Sequence, residues 1–202
     1  MIVLTTHLWV HWSDIALDAT VRAREARDDQ KLATDTSEAS TFIAVETRAT
    51  LVAVAASAHA LEAFANQISE CLPEPLRKVP QRPAARRIRR TLATAFVIDE
   101  SLWGQQLRTL FTLRNESLHY REVPGEPQSH PARADLRTSK VDADYNADEA
   151  TRSGSVLVGL PSDCWRGLRP GAEFEPTVRY CGQLAASLKL LRERWAEIEG
   201  VG

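Results

Sequence analysis

The stretch from Thr36 to Leu72 constrains this chain more than any other. Its centre, ATLVAVAASAHALEAFA (49–65), is nearly all apolar and rich in alanine, the strongest helix former. Thr36 or Ser37 can accept a hydrogen bond from a first-turn N–H, and Pro73 and Pro75 stop the run. A helix over 37–72 with such a centre must either be wrapped by other helices or cross a membrane. His59 and Glu62 lie inside the run. With its alanine content they favour a buried core helix over a span.

The rest of the chain supplies helices to wrap it. DIALDATVRAREARDD (14–29) has apolar residues at helical spacing, with Ser13 or Asp14 as its cap. The preceding MIVLTTHLWVHW fits a strand or an early helical turn equally. Helical patterns return from Ala84, from Asp99 or Ser101 to about 120, and over 176–199, where Leu184, Leu188, Leu191 and Trp195 line one side. Glycine is scarce, nine residues in 202, which favours helices over sheets. The expected fold is all-α: an antiparallel bundle of four to five helices forming a single domain over 1–202. Residues 122–170 are polar and turn-rich, and read as a long irregular insertion before the last helix. Within it SVLVGL (155–160) reads as a short strand.

Three cysteines, none at C-x-x-C spacing, argue against a disulfide framework or a zinc knuckle. The first residues carry neither a basic leader nor a small-residue cleavage site. Together these point to a reducing, cytoplasmic setting.

The helix over 101–120 poses a chemical question. At about 100° per residue, Leu107, Leu110, Phe111 and Leu118 fall on one stripe with Trp103. Arg114 falls in the middle of it, with Asn115 and His119 on its flank. A guanidinium on a packing face must find anions or carbonyls, because burial unpaired is costly. A structural explanation is available: Arg114 can snorkel or bond carbonyls of a neighbouring helix, and His119 can complement the helix dipole.

The phrase LRNESLHYRE (113–122) also resembles the signature of the HEPN superfamily, named for higher eukaryotes and prokaryotes nucleotide-binding domains. In that family an arginine, usually followed by a polar residue, precedes a histidine by four to six residues late in a helix. Here Arg114 is followed by Asn115, and four residues separate it from His119. SAHALEAFANQI (57–68) is similar to the matching preceding helix, and the likeness covers about 37–121 plus the final helix. The resemblance implies a metal-independent endoribonuclease of a toxin or defence system. It implies two copies of the motif lining one cleft of a homodimer, with RNA as substrate and an antitoxin or other regulatory protein as a further partner. No cofactor, metal or membrane is implied. Its catalytic residues would be Arg114, His119 and Asn115. A histidine titrating near neutrality can move the 2′-hydroxyl or leaving-group proton. An arginine can stabilise charge on phosphoryl oxygens. Asn115 can orient His119 or the phosphate. The chain departs from antitoxin-modified members, which carry a tyrosine two positions after the histidine: Tyr120 follows His119 directly and Arg121 takes the later place. Some members have lost catalysis, so a helical module binding a protein or nucleotide stands as the alternative.

Basic residues concentrate in LRKVPQRPAARRIRR (76–90), which holds no acid. Arg86, Arg87, Arg89 and Arg90 are candidates for tracking an RNA backbone. The competing reading pairs them with acids such as those of 142–149. No aromatic residue interleaves them, so base stacking is not expected there. His7 and His11 lie one helical turn apart without a third ligand, and packing beside Trp9 and Trp12 is the simpler reading. His59 reads as a core histidine; Glu46 and Glu62 lie on the same long helix, where either can support the cleft, with exposed carboxylates as the default reading. No glycine-rich phosphate loop or G-x-S-x-G elbow is present.

Overall fold

The computed structural model describes residues 7–72, 74, 83–96, 98, 99, 101, 103–119, 126–167 and 178–200; for 119 and 178–181 it describes the backbone. The described chain is predominantly helical: α1 Leu8–Leu32, α2 Thr36–Glu70, α3 Ala84–Ala95, α4 Gly104–His119, α5 Lys140–Asp144, α6 Ala147–Arg166 and α7 Val178–Glu199. One antiparallel hairpin, β1 Gln128–His130 and β2 Arg133–Thr138, completes it.

α2 is the axis of the fold. Asp35 rather than Thr36 or Ser37 caps it: its side chain accepts from the Glu38 N–H at 2.8 Å, and Glu38 Oε2 accepts from the Thr34 N–H at 3.2 Å. This reciprocal arrangement satisfies two donors at the helix start. Among the described helices α2 alone is long and apolar enough to cross a membrane. Its centre is covered by protein, with Val54, Leu61, Phe64 and Ile68 fully or almost fully buried. α1 returns along it after a three-residue turn, and the two make the most extensive interface of the fold. α1 starts at Leu8, ahead of both expected caps, Ser13 and Asp14. Ser13 lies inside the helix, its hydroxyl donating to the Trp9 carbonyl at 2.8 Å. The ambiguous segment is therefore helical from Leu8 onward.

The stretch expected to be an irregular insertion holds the hairpin, α5 and the 20-residue α6. SVLVGL is part of α6 and not a strand. Ala147, Ala150, Leu157, Leu160 and Cys164 bury one face of that helix. Small residues and Pro161 blur this stripe in the sequence, while the β-branched Val156 and Val158 suggest a strand. Asn146 caps α6, and Asp148 and Glu149 occupy its first turn, where the dipole favours them.

Two glycines of α6 each seat a tryptophan. A Cβ on Gly154 would stand 2.4 Å from the Trp195 ring, and one on Gly159 would stand 2.4 Å from the Trp103 ring. Neither ring can retreat without disturbing the core it packs against. Gly154→Ala should therefore destabilise the protein by about 1–3 kcal/mol, overriding alanine's helix preference. Gly182→Ala on α7, where no described atom lies within 4 Å, should be neutral or stabilising. Denaturant unfolding of the two variants checks this; equal stability would contradict the seating.

Candidate functional site

α4 carries the candidate motif, and its apolar stripe surfaces partway along it. Leu107, Leu110 and Phe111 are buried, Leu113 and Arg114 are half-buried, and Asn115, Glu116 and Leu118 are exposed. Leu118, expected in the core-facing stripe, is 60% exposed because the last turn of α4 runs past the packed body. Arg114 sits at this waterline. Its guanidinium lies 5.0 Å from the centre of the Phe111 ring, a cation–π contact. Nη2 is 3.7 Å from Glu62 Oε1 on α2, an ion pair too long for a hydrogen bond. Arg114 Nε is buried and has no acceptor among the described residues.

Glu62 gathers the surroundings. The same Oε1 lies 3.4 Å from Arg87 Nη2 on α3, and Oε2 lies 3.9 Å from His59 Nδ1 one turn earlier on α2. The imidazole of His59 rests on the Trp12 indole of α1, with ring centres 5.0 Å apart and planes tilted by 35°. Glu62 is thus a half-buried carboxylate shared by two arginines, and not the exposed side chain expected. His59 is partly exposed rather than a core histidine. Spacing along α2 does not show that the two belong with Arg114; the packing of α1, α3 and α4 around α2 assembles them. The Tyr145 hydroxyl donates to the Leu113 carbonyl at 2.7 Å, and the Ser117 hydroxyl to the Arg114 carbonyl at 2.7 Å. These bonds brace the turn bearing Arg114. Burial, with Glu116 and Asp144 nearby, pushes the Tyr145 phenol up to about 12, so it stays a donor at neutral pH.

Asn115 is exposed beside Arg114. His119 is the last residue of α4; its side chain, with Tyr120 and Arg121, lies outside the described residues. The four basic candidates of α3 divide. Arg86 and Arg90 are exposed one turn apart, Arg87 reaches Glu62, and Arg89 lies against the start of α4, where a Cβ on Gly104 would meet its Nη1 at 2.5 Å. Arg77, Lys78 and Arg82 lie outside the described residues. The acids of 142–149 are engaged elsewhere: Asp142 by Thr47, Thr138 and Ser139, Asp144 by Lys140, Asp148 by Arg27, and Glu149 by Arg152.

A second polar cluster was not anticipated. Glu46, read as exposed, is fully buried between α1, α2, α6 and the hairpin. Its Oε1 accepts from Arg27 Nε at 3.0 Å and from the Ala147 N–H at 2.7 Å. Its Oε2 faces His130 Nε2 at 3.5 Å. The Ala132 N–H points at His130 Nδ1 at 3.2 Å, and Gln30 Nε2 lies 3.3 Å from the same atom. Nδ1 is therefore the acceptor, and the imidazole proton sits on Nε2, toward Glu46. A carboxylate facing a histidine resembles an acid–base pair. Both side chains are wholly enclosed, however, so substrate cannot reach them. The cluster is a structural lock, and the Arg114 cluster is the more open of the two. No group of three or more metal-ligating side chains occurs among the described residues.

No family model, curated protein or solved structure matches this chain.

The lock makes stability depend on pH. Burial holds the His130 imidazole below its ordinary 6.5, aided by Arg27 and opposed by Glu46, Asp142 and Asp148. Below about pH 6.5 the unfolded chain binds this proton and the folded chain does not, so stability falls as pH falls. The expected slope reaches about 1.4 kcal/mol per pH unit. Unfolding measured across about pH 5.5–7.5 on wild type and His130→Gln checks it (about one unit either side of the free histidine value). Identical slopes would refute the role of His130.

Proposed function

We propose that this chain is a HEPN-type endoribonuclease that cleaves RNA without a metal ion, its Arg114 and His119 acting on the scissile phosphodiester. The observation that carries this reading is the state of Arg114. It is half-buried at the edge of the core, loosely paired to Glu62, and has a buried Nε without an acceptor among the described residues. The guanidinium is partly exposed and its pairing to Glu62 is loose, so its outer nitrogens keep donors for a phosphate. In this mechanism His119 transfers the 2′-hydroxyl or leaving-group proton, Arg114 stabilises the charge developing on the phosphoryl oxygens, and Asn115 orients either. The 2′-oxygen attacks phosphorus, the 5′-oxygen leaves with a proton, and a 2′,3′-cyclic phosphate remains.

The proposal extends to assembly. The helices form an antiparallel bundle whose motif face meets a second copy, so that two motifs share a cleft. The exposed apolar side chain of Leu118, at the end of α4, supports a face that is covered in the working protein. Cytoplasmic action in a toxin or defence system, held in check by an antitoxin or other regulatory protein, is part of the same reading. The alternative, a non-catalytic helical module, is favoured by no particular contact.

Purified protein incubated with RNA in EDTA tests the proposal. Wild type should cleave, and His119→Ala should lose about two to four orders of magnitude in rate. A 2′-deoxy substitution at the cut site should block the reaction. Cleavage by His119→Ala at the wild-type rate, or of the deoxy site, would reject this chemistry.

Arg86 and Arg90, exposed one turn apart, are assigned to the RNA backbone. Replacing both with glutamine should weaken binding to single-stranded RNA of any sequence. It should also flatten the dependence of log affinity on log salt by about 0.7 for each phosphate no longer neutralised. An unchanged salt slope in a filter-binding titration would remove these residues from the interface.

A further inference from the structure

We infer that Trp12 and His59 form a stacking platform for one nucleobase of single-stranded RNA, beside the Arg114–Glu62–Arg87 cluster. The inference rests on the proposed action on RNA but concerns a subsite that neither the motif nor the basic segment contains.

The platform follows from how α1 crosses α2. The Trp12 indole is partly buried against the main core. His59 covers its outer side, with ring centres 5.0 Å apart and a tilt of 35°. The His59 side chain remains 42% exposed, so the stack ends on an imidazole open to solvent. Little else fixes that imidazole. Its contact with Glu62 is 3.9 Å, beyond hydrogen-bond reach, so its orientation is set by the indole behind it. A flat, backed, half-open ring is what a base requires: every base has a π-face, and aromatic or histidine rings are the usual platforms.

The position matters as much as the rings. His59 and Arg114 lie on the two oxygens of one carboxylate, at 3.9 and 3.7 Å, and Arg87 joins them at 3.4 Å. A base stacked on His59 thus carries its sugar and phosphate toward guanidinium groups. The carboxylate lies between the two arginines. It limits the attraction for phosphate alone, so that an aromatic contact adds selectivity for a nucleotide over a bare anion. Stacking reads area rather than hydrogen-bond pattern, so the preference should be for purines and modest.

Binding of uncleavable probes tests the platform. One probe is an oligoadenylate of about ten 2′-O-methyl nucleotides, within the span one binding groove covers. The other is the same backbone without bases. Wild type should bind the adenylate about tenfold more tightly than the abasic strand, the change expected for one stacked base. His59→Ala should lose this advantage and leave abasic binding unchanged. His59→Phe, which keeps a ring, should retain it. Equal binding of the two probes by wild type would overturn the platform even if His59→Ala fails to fold, and so would His59→Phe behaving as His59→Ala. Parallel incubation of wild type with unmodified RNA separates this from the enzymatic reading. Base-dependent binding without cleavage keeps the platform and removes the ribonuclease; cleavage without base-dependent binding does the reverse.

Discussion

A carboxylate with no access to water governs this fold. Glu46 is enclosed on every side, and an ionised group so placed is tolerated only when it is paired. Three separate parts of the chain surround it: Arg27 from α1 and the first N–H of α6 donate to Oε1, and the imidazole of the hairpin stands 3.5 Å from Oε2 without a hydrogen bond. Each partner fixes something the apolar core leaves free. Around Glu46 the α1–α2 contact is alanine against alanine, which specifies register weakly, and the Arg27–Glu46 pair adds a specific contact there. The start of α6 is held by a charge at its positive end. The hairpin, with only Leu136 buried on β2, is anchored chiefly through His130 and through Arg133, whose Nη1 donates to the carbonyl of Gln30 at the end of α1.

How much of this was readable in the sequence varied with the kind of signal. α2 was legible to within two residues because a long apolar centre bounded by a polar cap and prolines has one good solution. α3, α4 and α7 followed from spacing for the same reason. α6 was not legible. Its buried face is made partly of alanine, serine and glycine, which carry little hydropathy, and Gly154 and Gly159 are present to admit tryptophan rings, not to break a helix. The N-terminal start stayed open for a related cause: Leu8 and Trp9 fit a strand or a helical turn equally until Phe64 is known to lie 5.4 Å from the Trp9 ring.

The candidate site shows a different limit. Arg114 stood out because an arginine in an apolar stripe breaks local consistency, and such breaks mark functional or strained positions. Glu46 and Glu62 break nothing. They occur on the same helix, in similar surroundings of alanine and threonine or serine, yet one is sealed and the other half-open. The distinction is created by which helices arrive at each end of α2. Those arrivals are non-local, so no window of sequence contains them.

The lock and the site are mechanically joined. Glu46 holds the N–H of Ala147 at 2.7 Å, two residues after Tyr145. Tyr145 in turn donates to the carbonyl of Leu113, the residue before Arg114. A chain of constraints thus runs from the buried carboxylate to the guanidinium: a charge on a helix start, a short stretch of backbone, a phenol that remains protonated at neutral pH, and one peptide unit. Arg114 needs this support, because its own pairing to Glu62 is too long to hold it and α4 is losing its packing partners at that point. A helix end projecting into solvent would ordinarily fray. Here the phenol bond holds the last turns of α4 to a segment that is itself fixed on Glu46. The arginine is thereby presented at a set height above Phe111, at the edge of the core. The polar region between α4 and α6 has a structural purpose on this account: it carries the histidine that completes the lock and the tyrosine that braces the site.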